Sequence, residues 1–123
     1  MSGLSPRQMW RLDEACQPIR QTFHAPPYLV GTALAGRDYR DVDVRLILED
    51  GPYDALADQL GPGGMAFLGI AFGEYLAART GLPVDFQIQR QSEANELHKG
   101  PRNPLGVRSL ANYEGDAPRV VTP

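Results

Sequence analysis

Apolar positions along this chain change their period several times, and each change marks an element. Met9, Leu12, Cys16, Ile19 and Phe23 recur at helical spacing behind Ser5-Pro6, a cap with proline at the first helical position, which predicts a helix over about residues 5–22. Pro18 lies inside that pattern and is expected to kink the helix or end it early. Tyr28-Leu29-Val30 is a short apolar run suited to a strand, stopped by Gly31-Thr32, and Ala33 to Gly36 fit one helical turn. Asp41 to Leu48 is the clearest strand, rich in branched residues, with its odd-numbered positions on one face. A short helix is expected over 53–60 and a long apolar one over 63–80, whose Met65, Leu68, Phe72, Tyr75 and Leu76 form a wide stripe for packing on a sheet. Val84 to Gln89 alternates again, setting Val84, Phe86 and Ile88 inward and Asp85, Gln87 and Gln89 on the opposite face. Ser92 then caps a helix to about Leu97.

This order predicts an α+β fold, a small mixed β-sheet backed by helices. Residues 1–98 are expected to form the domain, and 99–123, rich in Gly, Pro and Asn, an extended tail packed on it or projecting from it. Within that tail, Lys99 to Arg108 is expected either to fold back as an ordered loop beside the site or to form a dimer contact, with Arg102 and Arg108 meeting phosphate or a neighbouring carboxylate; a solvated terminus is the alternative.

Bulk properties narrow the function. A chain of 123 residues with 42% hydrophobic and 22% charged residues suits one packed domain. A net charge of −3 and a pI near 5.3 disfavour a long nucleic acid as partner, since such binding draws on a broad basic surface. The one cysteine, Cys16, cannot close an internal disulfide, no zinc-ligand spacing occurs, and neither a signal peptide nor a membrane span is visible, so a cytoplasmic protein is expected.

The candidate chemistry lies in three aspartates. Asp41 and Asp43, two apart on a strand, project their carboxylates the same way from bases roughly 6–7 Å apart, and Asp85 offers a third carboxylate from another strand. Hard divalent cations take such oxygen ligands. Three carboxylates in one cleft also repel by roughly 2–3 kcal/mol per pair at ~6 Å and an effective dielectric of ~20, so a counter-charge is required. A metal ion supplies it in one reading; Arg37, Arg40 or Arg45 supplies it in the other, Arg45 sharing the strand face of both aspartates.

Gly31-Thr32, Asp41-Val42-Asp43-Val44 and Val84-Asp85-Phe86 together resemble the polymerase-beta-like nucleotidyltransferase superfamily, over about residues 28–90. Thr32 stands where that pattern usually has serine, and the helical domain that many members place after the core is missing. The resemblance implies a minimal nucleotidyltransferase core in which Asp41, Asp43 and Asp85 are catalytic and hold magnesium or manganese, while Gly31 and Thr32 bind the nucleotide. It implies transfer of a nucleoside monophosphate from a nucleoside triphosphate to an acceptor, either a small molecule or a protein such as a toxin. A homo-oligomer is compatible with it. The alternative is a non-catalytic binding or antitoxin-like protein that keeps the fold. His24 and His98 fall outside the motif, and Gly61-Pro62-Gly63-Gly64 lacks the Lys-Ser/Thr of a phosphate loop and reads as a helix connection.

Overall fold

The computed structural model describes residues 3–36 and 38–108. Helix α1 (Pro6–Phe23) starts on a reciprocal box: Ser5 Oγ accepts the Gln8 N–H at 3.1 Å, and Gln8 Oε1 accepts the Ser5 N–H at 2.8 Å. Two donors with no intrahelical partner are thereby satisfied. The helix runs through Pro18 instead of stopping there. Proline forfeits one backbone bond, but Leu12, Cys16 and Ile19 are buried on either side of the defect, and their packing holds the two halves in line. His24 ends it in the left-handed region at φ 55°.

Strand β1 (Pro27–Val30) leads into a single turn, α2 (Gly31–Leu34), and then into β2 (Val42–Leu48). Helix α3 (Asp50–Leu60) begins three residues before the expected start at 53. Asp50-Gly51-Pro52, which reads as a break, is its first turn, where proline's missing N–H would have had no partner anyway. Three residues join it to α4 (Gly64–Thr80), with Gly61 and Gly63 at φ 79° and 78°. Strand β3 (Val84–Arg90), α5 (Gln91–Leu97) and the two-residue β4 (Asn103–Pro104) complete the described fold.

The strands form one mixed sheet in the order β3-β2-β1-β4. β2 and β3 are parallel, with Val42 beside Val84 and Asp43 beside Asp85, whereas β1 runs antiparallel to both its neighbours. One face carries Leu29, Val42, Val44, Leu46, Leu48, Phe86 and Ile88 into a core shared with α1 and α4. Of the predicted stripe on α4, Leu76 is buried and Met65, Leu68, Phe72 and Tyr75 pack against that core. Phe72 meets Phe23 and Phe86 edge to face, with ring centroids 5.8 and 5.5 Å apart. α4 rides close on β3 because Gly69 has no side chain: a Cβ there would stand 3.0 Å from the Phe86 carbonyl oxygen. Among the described residues no helix is long and apolar enough to cross a membrane.

Residues 103–108 return to the body of the protein. Asn103 and Pro104 pair with β1, Leu105 is fully buried, and the Gly106 N–H donates to Asp13 Oδ1. Arg108 reaches Asp13 Oδ2 at 3.2 Å, the Pro104 carbonyl at 2.8 Å and Asn103 Oδ1 at 2.8 Å. Of the two partners expected for Arg108, phosphate or a carboxylate, it meets the carboxylate. Residues 109–123 of the expected tail lie outside the described residues.

Asp13 is fully buried, so cutting its side chain back strands the Gly106 N–H and the Arg108 guanidinium together. Asp13→Ala is expected to lower folding stability by about 2–4 kcal/mol, read as a fall in the urea midpoint of the circular-dichroism transition. An unchanged midpoint would show that the 103–108 return does not depend on this carboxylate.

Candidate functional site

The second face of the sheet is polar at one end. β2 directs Asp43 and Arg45 onto it, and the parallel register brings Asp85 of β3 alongside Asp43. The Arg45 side chain, 11% exposed, lies between the two. Its Nη1 donates to the Asp85 carbonyl at 2.7 Å and the Val44 carbonyl at 3.1 Å. Its Nη2 stands 3.3 Å from Asp85 Oδ2 and 3.6 Å from Asp43 Oδ1. The short bonds go to backbone oxygens and the long ones to carboxylates, so the guanidinium is fixed chiefly by the strands themselves.

Asp43 also abuts the turn after β1. Val30 pairs with Asp43 in the antiparallel ladder, and a Cβ at residue 31 would stand 2.5 Å from Asp43 Oδ2. Gly31 adopts φ 78° there, so both the conformation and the close approach require glycine. Gly31, Thr32, Asp43 and Arg45 line one side of a cleft of about 450 Å³, and Leu97 to Arg102 line the other. The Lys99–Arg108 segment thus lies in part beside the site. Arg102 bonds there to Asn95 Oδ1 at 3.0 Å and to the carbonyls of His98 and Ala94 at 3.1 and 3.3 Å, which fixes the end of α5 to the loop that follows.

The remaining site residues sit less centrally. Asp41 is not in the strand; β2 begins at Val42, and Asp41 occupies an exposed bend before it. It is near enough to act electrostatically on Asp43. Asp85 opens on its outer side onto a neighbouring groove lined by Gly69, Gly73 and Glu74. Among the described residues no three His, Cys, Asp or Glu side chains are gathered in a way that holds a metal ion. Of the arginines weighed as counter-ions, Arg45 takes the position between the carboxylates, Arg40 lies in the exposed bend and Arg37 is outside the described residues. The Asp13 anchor was not evident from the sequence, whereas a return of Lys99–Arg108 beside the site was one of the arrangements expected for that segment.

The charges do not cancel. The Asp43 carboxyl is raised above the ordinary carboxylate range, first by desolvation, against which Arg45 pulls down, and further by Asp85 and Asp41, with His98 lowering it slightly. Arg45 therefore compensates Asp43 only in part. A carboxyl raised in the folded chain binds its proton more readily there than when unfolded. Its contribution to stability therefore declines as pH rises from the unfolded value through the folded one. Asp43→Asn is expected to unfold a few degrees higher than the wild type at pH 7, the gap closing as pH falls to about 4, near the ordinary aspartate value. Thermal melts across that range check it. A variant less stable than the wild type at pH 7 would mean that the Arg45 contact outweighs desolvation.

Comparison of the chain with family models, with curated proteins and with solved structures returned no match, so its function is argued from this geometry.

Proposed function

We propose that the chain is a metal-dependent nucleotidyltransferase with a nucleotidyltransferase-like core, moving a nucleoside monophosphate from a nucleoside triphosphate to an acceptor nucleophile. The observation that carries this reading is the alignment of Asp43 with Asp85 on adjacent parallel strands, with Gly31 against the Asp43 carboxylate. The donor set fits magnesium or manganese. Such ions are commonly held by one or two carboxylates, with phosphate oxygens of the substrate and water filling the rest. The Asp43 carboxyl is raised first by its burial and further by Asp85 and Asp41, and a divalent cation held there would favour its charged form. Asp43 and Asp85 would hold it, with Asp41 as the nearby third carboxylate. When bound, the ion supplies charge neutralisation at the phosphates.

The chain's own residues do the rest. Thr32 and the Gly31 backbone face the cleft and orient the phosphates. Arg45, pinned by two carbonyls, fixes the spacing of the two carboxylates. The acceptor's oxygen bonds to the α-phosphorus, the bond from that phosphorus to the β-bridging oxygen breaks, and pyrophosphate departs. Asp85 takes the acceptor's proton. Placing the reactants accounts for most of the rate in such a site. The acceptor is a small molecule or a partner protein.

One observation favours a second reading. The Arg45 guanidinium already stands within 4 Å of both carboxylates, as in a non-catalytic binding protein whose acids need no metal. Thermal melts with magnesium or manganese and each nucleoside triphosphate separate the two. A ligand at one hundred times its Kd adds about 2.7 kcal/mol of stability, so the nucleotidyltransferase reading expects a metal-dependent rise in Tm that Asp43→Asn combined with Asp85→Asn removes. Labelled triphosphates incubated with the protein and a cell lysate are expected to yield a labelled product, with transfer at least about 100-fold slower in the double variant. Absence of both effects in the wild type leaves the binding-protein reading.

A further inference from the structure

The cleft is cationic on the side away from the sheet, in a chain whose net charge is −3. Its lining includes Arg45, His98, Lys99 and Arg102 against one carboxylate, that of Asp43. The two guanidinium groups are committed. Arg45 is spent on Asp43, Asp85 and two carbonyls, and Arg102 on Asn95 and the carbonyls of Ala94 and His98. His98 acts on Asp43. Among the described residues the Lys99 side chain makes no hydrogen bond or ion pair. It is nevertheless held in place by its backbone. Arg102 ties the loop to the end of α5 on one side, and Asn103 and Pro104 tie it to β1 on the other, with Leu105 buried just beyond. An uncommitted ammonium on an anchored loop, facing a cleft with the Asp43 carboxylate on its opposite wall, matches a ligand whose anionic portion extends away from that acid.

We propose that Lys99, carried on the loop 98–101, is the cationic anchor for the polyphosphate tail of the nucleotide; this rests on the nucleotidyltransferase reading. The ligand class is a nucleoside triphosphate held by its β- and γ-phosphates. Lysine suits the position because its ammonium is a compact charge with three donors on a flexible stem, able to follow phosphate oxygens. A monophosphate, having no tail to extend across the cleft, gains little from it.

The test titrates the full chain calorimetrically with inorganic tripolyphosphate, with the four nucleoside triphosphates and with the matching monophosphates, all with magnesium, alongside Lys99→Ala and Lys99→Arg. Folding of each variant is checked by its thermal melt. Lys99→Ala is expected to weaken tripolyphosphate and triphosphate binding by about tenfold or more and monophosphate binding by less than about twofold, with Lys99→Arg returning to within about threefold of the wild type. Equal triphosphate affinity in the wild type and Lys99→Ala overturns the assignment and leaves the nucleotidyltransferase reading standing. An equally large loss for monophosphates overturns the placement of Lys99 at the tail, and so does a wild type that binds neither tripolyphosphate nor any triphosphate. Tripolyphosphate binding that depends on Lys99, in a chain that transfers no nucleotide, upholds the anchor and removes the transferase reading.

Discussion

Arg45 carries a full positive charge into a sheet that has four strands among the described residues, and the polar face is arranged around that fact. A guanidinium cannot shed its charge, so burying it demands acceptors in the plane of the group. The parallel register of β2 and β3 supplies them: Asp85 lies two residues before Gln87, the register partner of Arg45, and offers both its carbonyl and its carboxylate. Asp43, two residues earlier on the same strand, falls within reach by the same alternation. A slip of one residue in β3 against β2 would send Asp85 to the core face and Val84, Phe86 and Ile88 to the polar one. The hydrophobic core and the charged face therefore enforce a single register between them.

That register fixes the acids but not the cleft, which needs an opposite wall. The wall comes from residues far along the chain. α5 packs against β2 and β3, Arg102 holds its last turn to the following loop, and the short pairing of β4 with β1 brings the chain back against α1. Two side chains complete the return. Leu105 contributes apolar burial of about 1.5–3 kcal/mol, and Asp13 receives both the Gly106 N–H and Arg108. Gly106 has φ 78°, and a Cβ there would stand 2.9 Å from the Cys16 carbonyl oxygen, so the crossing over α1 is open only to glycine. The cleft's outer wall is thus tied to the core, although its sequence reads as a tail.

What the sequence disclosed follows from how local the cause was. The strands around Asp43 and Asp85 were legible because their period of two is set by their own residues, as was the α4 stripe by its period of 3.6. Asp50-Gly51-Pro52 misled because a proline that ends one element is equally at home in the first turn of the next. Pro18 misled in the other direction: its local cost was outweighed by the burial of Leu12, Cys16 and Ile19. The 103–108 return was not legible in detail, since it depends on one carboxylate about ninety residues earlier and on a two-residue strand too short to show any period. At the site, Arg45 was visible as a strand-face neighbour of both aspartates; that its shortest bonds run to backbone carbonyls was not, because strand pairing decides which carbonyls face it.

That last detail bears on the choice between a catalytic and a passive site. An arginine fixed by carboxylates alone would be in direct competition with a cation, and binding the cation would displace it at the cost of an uncompensated buried charge. Arg45 is differently placed. Its Nη1 keeps two carbonyl acceptors whatever the carboxylates do, so Asp43 and Asp85 can turn oxygen lone pairs toward another partner without orphaning it. The Asp43 carboxyl, raised first by burial even with Arg45 beside it, marks a place where a bound cation would favour the charged form. Across the cleft Lys99 marks a positive charge with no internal partner among the described residues. Under the proposed reading these are two ends of one requirement: a ligand that presents a cation to the sheet and an anion to the loop satisfies both walls at once, and a divalent metal carried on a polyphosphate has that polarity.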